Sequence, residues 1–406
     1  MPATTYAYSV RDSGGKIISG TIDAESPAAV AQRLKTMGYA PISIAPAKAG
    51  INREISIPGF GKKVKAKDLA VMSRQFATMI NSGLSLLRAL SILADQTDNP
   101  VLRKVLAQVR SDVETGNSLS ASLAKHRDAF PPLMVNMCKA GEVGGFLDST
   151  LLQIAESLEA DVKLRSKIKS AMTYPIVVFC IAILACVGML MFIVPVFAKM
   201  FKGLGAKLPL PTQLLVDLSH MMTFLVPAGA ILLVVIFALY KKVKHHESVR
   251  SVLDPLKLRA PIFGSLFRKV ALSRFTRNLG TMLASGVPIL QSLDIVADTT
   301  GNIVLTRAIR DVQDSVRQGE SLTAPLTRHS IFPPMVVQMM AVGEDTGALD
   351  NMLHKVSQFY DQEVEATTEA LTSIIEPLMI AVLGGIVGSM IIALYLPIFS
   401  IYNLIK

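Results

Sequence analysis

Charge is scarce in this chain of 406 residues: Asp, Glu, Lys and Arg together make up 18%, where an ordinary soluble domain carries about 25%. Apolar residues reach 51% before the 26 glycines are counted, and the mean hydropathy is +0.45. That balance excludes intrinsic disorder, which needs low hydrophobicity, and argues against a purely soluble enzyme. Cysteine is scarcer still. Cys138, Cys180 and Cys186 cannot build a disulfide framework, and Cys138 has no CxxC partner and no neighbouring His, so all three are expected to be structural. Residues 1–15 hold no apolar h-region, so no cleavable signal peptide is expected and the N-terminus is placed in the cytoplasm.

Several chemistries are missing as well. The Gly15-Lys16 and Gly61-Lys62 pairs have Val10 and Ser56 five residues upstream where a phosphate loop needs glycine, so ATP hydrolysis is excluded. No HExxH, GxSxG or Cys–His grouping occurs. His245 and His246 are adjacent, and on a helix they diverge by about 100°, which suits no shared metal. Neither an enzyme nor a cofactor-binding protein is expected. The net charge of +10 suits an anionic membrane surface or nucleic acid; the apolar excess favours lipid, and no nucleic acid is expected.

Three long charge-free runs fill the gap. They lie between Lys169 and Lys199, between Asp217 and Lys241, and between Glu376 and Lys406. About 20 apolar residues cross a bilayer, so three spans are predicted, at 171–198, 218–240 and 374–405. Lys163, Arg165, Lys167 and Lys169 precede the first, and Lys241, Lys242, Lys244 and Arg250 follow the second; the loop between them, 199–217, holds only Lys199, Lys202 and Lys207. The positive-inside bias therefore puts that loop outside. The spans contain no interior Asp, Glu, Lys or Arg, which disfavours an ion-coupled transporter or a channel, the alternative of another class.

The body is duplicated. TMINSGLSLLRAL (78–90) lies over TMLASGVPILQSL (281–293) at an offset of 203, and TGNSLSASL (115–123) over QGESLTAPL (318–326) at the same offset. FPPLMVNMCKAGEVGGFLD (130–148) lies over FPPMVVQMMAVGEDTGALD (332–350) at 202, and Pro175 meets Pro377 in that register. Each copy is a polar helical bundle of about six short helices, 67–170 and 241–373, followed by one span; the middle span is a return crossing without a partner. Leu69, Met72, Phe76, Met79 and Ile80 carry the helical period. Gly83 and Gly286 follow helical runs, and serines after Gly116 and Gly319 suit N-caps. Residues 1–50 read as a small ββαβ module with a turn at Asp12-Ser13-Gly14-Gly15 and a helix from Ser26-Pro27 to Gly38, and 51–66 as a linker. The fold class is mainly α, polytopic, with two repeated cytoplasmic bundles.

One region has the oxygen ligands that a hard cation wants: the Gly-Glu loops, with Gly141, Glu142, Gly145 and Asp148 in the first copy and Gly343, Glu344, Gly347 and Asp350 in the second. Helix capping by Asp148 is the competing reading. Just before the spans, Lys163 aligns with Glu365 and Lys167 with Glu369. Each pair is four residues apart on one helical face, so a basic stripe in one copy answers an acidic one in the other. If the copies pack by a pseudo-twofold, the stripes face each other, within a chain or between subunits; solvated faces are the alternative.

These duplicated blocks, with Tyr174-Pro175, Glu376-Pro377 and LGAKLPLPT (204–212), resemble the PilC/GspF family, the inner-membrane platform proteins of type IV pili and type II secretion systems. The resemblance covers essentially the whole chain. It implies a non-enzymatic inner-membrane core that binds a cytoplasmic hexameric ATPase, pilins or pseudopilins and other machine components, and that forms homo-oligomers. Lys67-Asp68-Leu69, Ser73-Arg74-Gln75 and Lys167-Ile168-Lys169-Ser170-Ala171 look more like the pilus branch than the secretion branch. In the secretion branch a calcium site uses acidic positions near the helix after the Gly-Glu loop. Asp148 matches, but Leu152 stands where a polar residue is usual, so no metal is expected. Glu376 replaces Tyr174 before the equivalent proline, as a headgroup-level carboxylate or as a contact to the pilin's membrane segment.

Overall fold

The computed structural model describes residues 4–11, 17–24, 26–36, 39–46, 63–203, 209–243 and 246–402. The expected turn at Asp12-Ser13-Gly14-Gly15, Gly38, linker residues 51–62, residues 204–208 of the outer loop, Lys244 and His245 lie outside the described residues. The chain divides into two compact units, 1–63 and 64–406.

The first unit runs β1 (Thr4–Arg11), β2 (Ile17–Ala24), α1 (Pro27–Thr36) and β3 (Ala40–Pro46). The sheet order is β2-β1-β3, antiparallel throughout, with Tyr6 opposite both Ile22 and Pro46. Ser26 accepts a hydrogen bond from the Ala29 amide at 3.3 Å, ahead of Pro27 at the first helical position. Tyr6, Val30 and Leu34 form the buried centre, flanked by Ile22, Ala24 and Tyr39.

The second unit begins with α2 (Ala66–Asn81), α3 (Leu86–Gln96), α4 (Pro100–Glu114), α5 (Leu119–Ala124), α6 (Pro132–Gly144) and α7 (Leu147–Gly188). A π-helical turn (Met189–Ile193), α8 (Val194–Gly203) and α9 (Leu210–Val243) follow. The rest is α10 (Glu247–Arg259), α11 (Phe263–Ala284), α12 (Ile289–Thr299), α13 (Ile303–Arg317), α14 (Thr323–Leu326), α15 (Pro334–Thr346) and α16 (Leu349–Tyr402). The duplication is visible in the caps. Asn99 opens α4 by accepting from the Val101 and Leu102 amides, and Asn302, its equivalent, opens α13 by accepting from those of Val304 and Leu305. Leu69, Met72 and Phe76 of α2 are buried at spacings of three and four. They enter one core that continues through Phe275, Leu279, Phe332 and Met340 of the second copy. Full burial of such side chains is worth about 1.5–3 kcal/mol each. Among the described residues, α10 has no counterpart in the first copy. It is joined to α11 by a tight turn, in which Ile262 sits at φ +71° while the Phe263 amide donates to the Pro261 carbonyl at 2.8 Å.

Among the described residues, three helices are long and apolar enough to cross a membrane: Leu147–Phe201, Leu210–Leu239 and Leu349–Pro397. Two boundaries differ from the sequence reading. No joint separates helical domain from span, since α7 passes 170/171 and α16 passes 373/374 without a break. The outer loop expected over 199–217 is helical to Gly203 and again from Leu210, because Pro209 and Pro211 fall at a helix start, where a missing N–H costs nothing. Prolines inside the spans free carbonyls instead. Pro397 cannot donate to Ala393, and the buried hydroxyl of Thr212 on α9 donates to that carbonyl. Before Pro195 the helix relaxes into the π-helical turn, in which the Val194 amide reaches back to Met189. There the spans meet, through buried Leu190, Val194, Met390 and Leu394, with Leu215 and Val216 of α9 against them.

Candidate functional site

Each copy ties its first helix to its long helix with one Arg–carboxylate pair. In the first copy Arg74 on α2 donates through Nε and Nη2 to Glu159 on α7, at 2.7 and 2.6 Å, a bidentate arrangement. In the second, Arg277 on α11 pairs with Asp361 on α16, and Ser273 donates to the same carboxylate at 2.6 Å. Arg277 and Asp361 are the repeat equivalents of Arg74 and Glu159. Their surroundings differ: the Arg74 side chain is 36% exposed and that of Arg277 only 7%. Its Nη1 is buried without a hydrogen bond.

Arg277 is covered because the two repeats pack there. It lines a cavity of about 590 Å³ whose walls are α7 (Lys163, Leu164, Lys167) and α16 (His354, Asp361, Glu365). Lys167 closes one end by an ion pair with Glu365. Arg274 of α11 reaches Asp161 of α7 at 2.9 Å, and Arg165 holds the other oxygen at 2.7 Å. Burial pulls the Arg274 guanidinium down while Asp161 pulls the other way; an arginine stays charged under both. Lys269 of α11 pairs with Glu363 at 2.7 Å and also donates to Thr367. The result is a seam of alternating charges, joining α11 to both long helices where they approach the spans. Such a seam of paired charges fixes the register between the helices.

Of the charge stripes, the structure brings Lys167 to Glu365, one turn out of the aligned register. Lys163 lines the cavity, and neither it nor Glu369 makes an ion pair among the described residues. A pseudo-twofold does not describe the rest of the contact. Helix α12 packs on α6, with Gln291 donating to Asn136 at 3.3 Å, while α3 makes no comparable contact with α15 among the described residues.

The Gly-Glu segments are not loops. Gly141 and Glu142 lie inside α6, and Gly343 and Glu344 inside α15; the helices end later, at Gly145 and Gly347, with φ +76° and +69°. The glutamates are held where they are by a shared task. Glu142 accepts from the Leu119 and Ser120 amides at the start of α5, the latter at 3.0 Å. Glu344 accepts from the Leu322 amide at 2.7 Å, the Thr323 amide at 3.3 Å and the Thr323 hydroxyl at 3.1 Å, at the start of α14. A carboxylate at orphan amides is a charge-assisted cap supplied by another helix. Gly141 and Gly343 permit the close approach of the next helix: a Cβ on Gly141 would stand 2.7 Å from Thr150 Oγ1, and one on Gly343 2.8 Å from Leu349 Cα. Asp148 and Asp350 lie in the first turns of α7 and α16, facing the positive end of the dipole; the cap itself is Phe146 in the first copy. Among the described residues no cluster of three or more His, Cys, Asp or Glu is placed to hold a metal ion.

Gly83 and Gly286, at φ +83° and +69°, and Gly116 and Gly319, at +94° and +89°, occupy matching turns. Pro175 is buried within α7, whereas Glu376 and Pro377 are exposed on α16. Sequence reasoning missed Arg277 and Asp361. The signal was available, because Arg74 stands over Arg277 and Glu159 over Asp361 in the repeat register, but none of the four lies in one of the matched repeat blocks.

Comparisons with known proteins agree with this duplicated arrangement. Residues 72–195 and 275–397 each match type II secretion system protein F, and residues 1–45 match its N-terminal domain. The chain is 44% identical over 403 residues to the type IV pilus assembly protein PilC of Myxococcus xanthus, covering 99% of this chain and 96% of that one. It is 43% identical to PilC of Thermus thermophilus, with 98% of each covered. Against the type II secretion system protein F of Vibrio cholerae it is 32% identical, with 99% of each covered. Two matched repeats, each ending in an apolar helix, and full-length relatives place the chain in the type II secretion system protein F family, on its type IV pilus branch.

Proposed function

We propose that this chain is the non-enzymatic platform of a type IV pilus assembly machine, coupling a cytoplasmic hexameric ATPase to the insertion or extraction of pilins. The observation that carries the reading is the pair of equivalent helical domains, each continuous with a span and joined by a charged seam. A force applied to either domain passes along α7 or α16 into the bilayer without a flexible joint. The chain crosses the inner membrane three times with its N-terminus and both helical domains, 67–170 and 241–373, in the cytoplasm; the basic flanks of the first two spans support that orientation. The ATPase docks on polar surface of the helical domains, and the pilin contacts the spans, where Glu376 of α16 is exposed. ATP is hydrolysed by the partner alone, in keeping with the missing phosphate loop.

The test is deletion of the chain from its host. Surface pili are lost while pilin persists in the membrane, and the full-length chain extracted in detergent retains a hexameric ATPase. A host that keeps its pili and instead stops exporting folded proteins favours the type II secretion reading. Retention of both rejects the platform.

A further inference from the structure

The chain carries the same groove twice, once walled by a helix of the other repeat and once without that wall. The first, about 520 Å³, lies between α5 and α6 and is lined by Phe130, Val135, Asn136 and Lys139. Its far wall is α12 of the other repeat, which presents Asp294, Ile295 and Asp298. The second, about 460 Å³, lies between α14 and α15 and is lined by the equivalent Phe332, Val337, Gln338 and Ala341. Every residue lining it falls within 321–341, so among the described residues no helix from elsewhere covers it.

The first groove shows which helix stands against such a groove. That helix, α12, has one repeat equivalent, α3, in which Arg88, Ser91 and Ile92 stand for Gln291, Asp294 and Ile295. Ile295 is 8% exposed, Ile92 is only half-buried, and Leu87 on the same helix is 40% exposed. The charges change together. Lys139 and Asp294 line the first groove with opposite charges; in the second set both positions are neutral, Ala341 and Ser91. A groove and a helix that match each other in this way, and make no comparable contact among the described residues, are the two unused halves of a head-to-tail contact.

We infer that a second copy of this chain seats its α3 in the groove between α14 and α15, repeating between molecules the contact that α12 makes with α6 inside one. The contact is heterologous, so successive copies close into a ring or continue in a row. It does not depend on the pilus reading.

The test uses the full-length chain in membranes. Two differently tagged copies are co-expressed, one carrying Ile92→Cys and the other Val337→Cys, and mild oxidation is followed by mass spectrometry of the linked peptides. A linkage between the two tags is expected at the level of the internal control, a chain carrying Val135→Cys and Ile295→Cys, and above the background of chains with native cysteines only. A control that links while the tagged pair does not, or a 92–337 linkage confined to single chains, overturns the proposal. The charge exchange is the independent arm. Ser91→Asp alone should reduce the co-purified second copy several-fold, and Ala341→Lys on the partner should restore it, since together they recreate the Asp294–Lys139 arrangement. An unaffected or unrescued Ser91→Asp overturns it equally.

Discussion

Thr212 and Ala393 are joined because of a proline four residues further on. Pro397 has no N–H to give the Ala393 carbonyl, and the Thr212 hydroxyl takes its place, binding the start of α9 to α16. Thr212→Val keeps the shape and leaves the carbonyl unpaired, at a cost of about 1–3 kcal/mol; Thr212→Ser should lose much less. Thermal unfolding in detergent reads the difference, and equal losses from both variants refute the assignment.

The two Arg–carboxylate pairs should respond differently to truncation. Arg74→Ala removes a part-exposed pair and is expected to cost about 1 kcal/mol or less. Arg277→Ala leaves the half-buried Asp361 carboxylate without its cation in the seam. Because Asp361 itself is 33% exposed, the loss should fall short of a fully buried pair, at about 2 kcal/mol. Equal shifts in the unfolding midpoint would show that repeat packing does not bury Arg277.

Glu142→Ala should release the first turn of α5 and cost about 1–2 kcal/mol, while Glu142→Gln, which keeps an acceptor, should cost roughly half of that. Glu344 should behave alike at α14. Amide exchange at Leu119 and Ser120 reports the effect directly: protection that survives Glu142→Ala contradicts the cap.

Lys167 and Glu365 are about two-fifths exposed, so their pairing contributes about 1 kcal/mol or less. Lys167→Glu should nonetheless shift the seam, and Glu365→Lys in the same chain should recover the original midpoint. A double-mutant cycle with zero coupling dismisses the pair.

Cys138 should resist alkylation. Burial pushes its thiol well above the ordinary range, and the Glu142 carboxylate adds to the effect. The reactive thiolate is therefore nearly absent at neutral pH. In a chain with Cys180→Ala and Cys186→Ala, iodoacetamide at pH 8 should modify Cys138 only after denaturation. Native labelling at the denatured rate contradicts its burial.

Much of this architecture is legible in the sequence because it rests on local signals. Charge-free runs mark the spans, and the repeat register places Gly83 over Gly286 and Asn99 over Asn302. What escapes is whatever depends on contact between distant elements. Glu142 beside two glycines reads as a loop, and only the position of α5 reveals why a helix carries it. Hydropathy changes abruptly near residue 170, which suggests a boundary, yet hydrogen bonding in α7 is indifferent to that change. The pairing of Arg277 with Asp361 needs the fold, since two residues 84 positions apart share no pattern. Repeat symmetry misleads once: similar copies suggest a twofold, and only the packing of α12 on α6 shows a head-to-tail arrangement.

The unbroken course of α16 has a mechanical meaning. Its 54 residues make a rod of roughly 80 Å at 1.5 Å per residue. Tilting such a rod by about 5° about one end sweeps the other through about 7 Å, more than the pitch of a helical turn. With the pivot at Leu349, a small rotation there carries the far end of the helix sideways by more than the pitch of a turn, and Pro377 and Pro397 are the places inside it where a backbone hydrogen bond is missing.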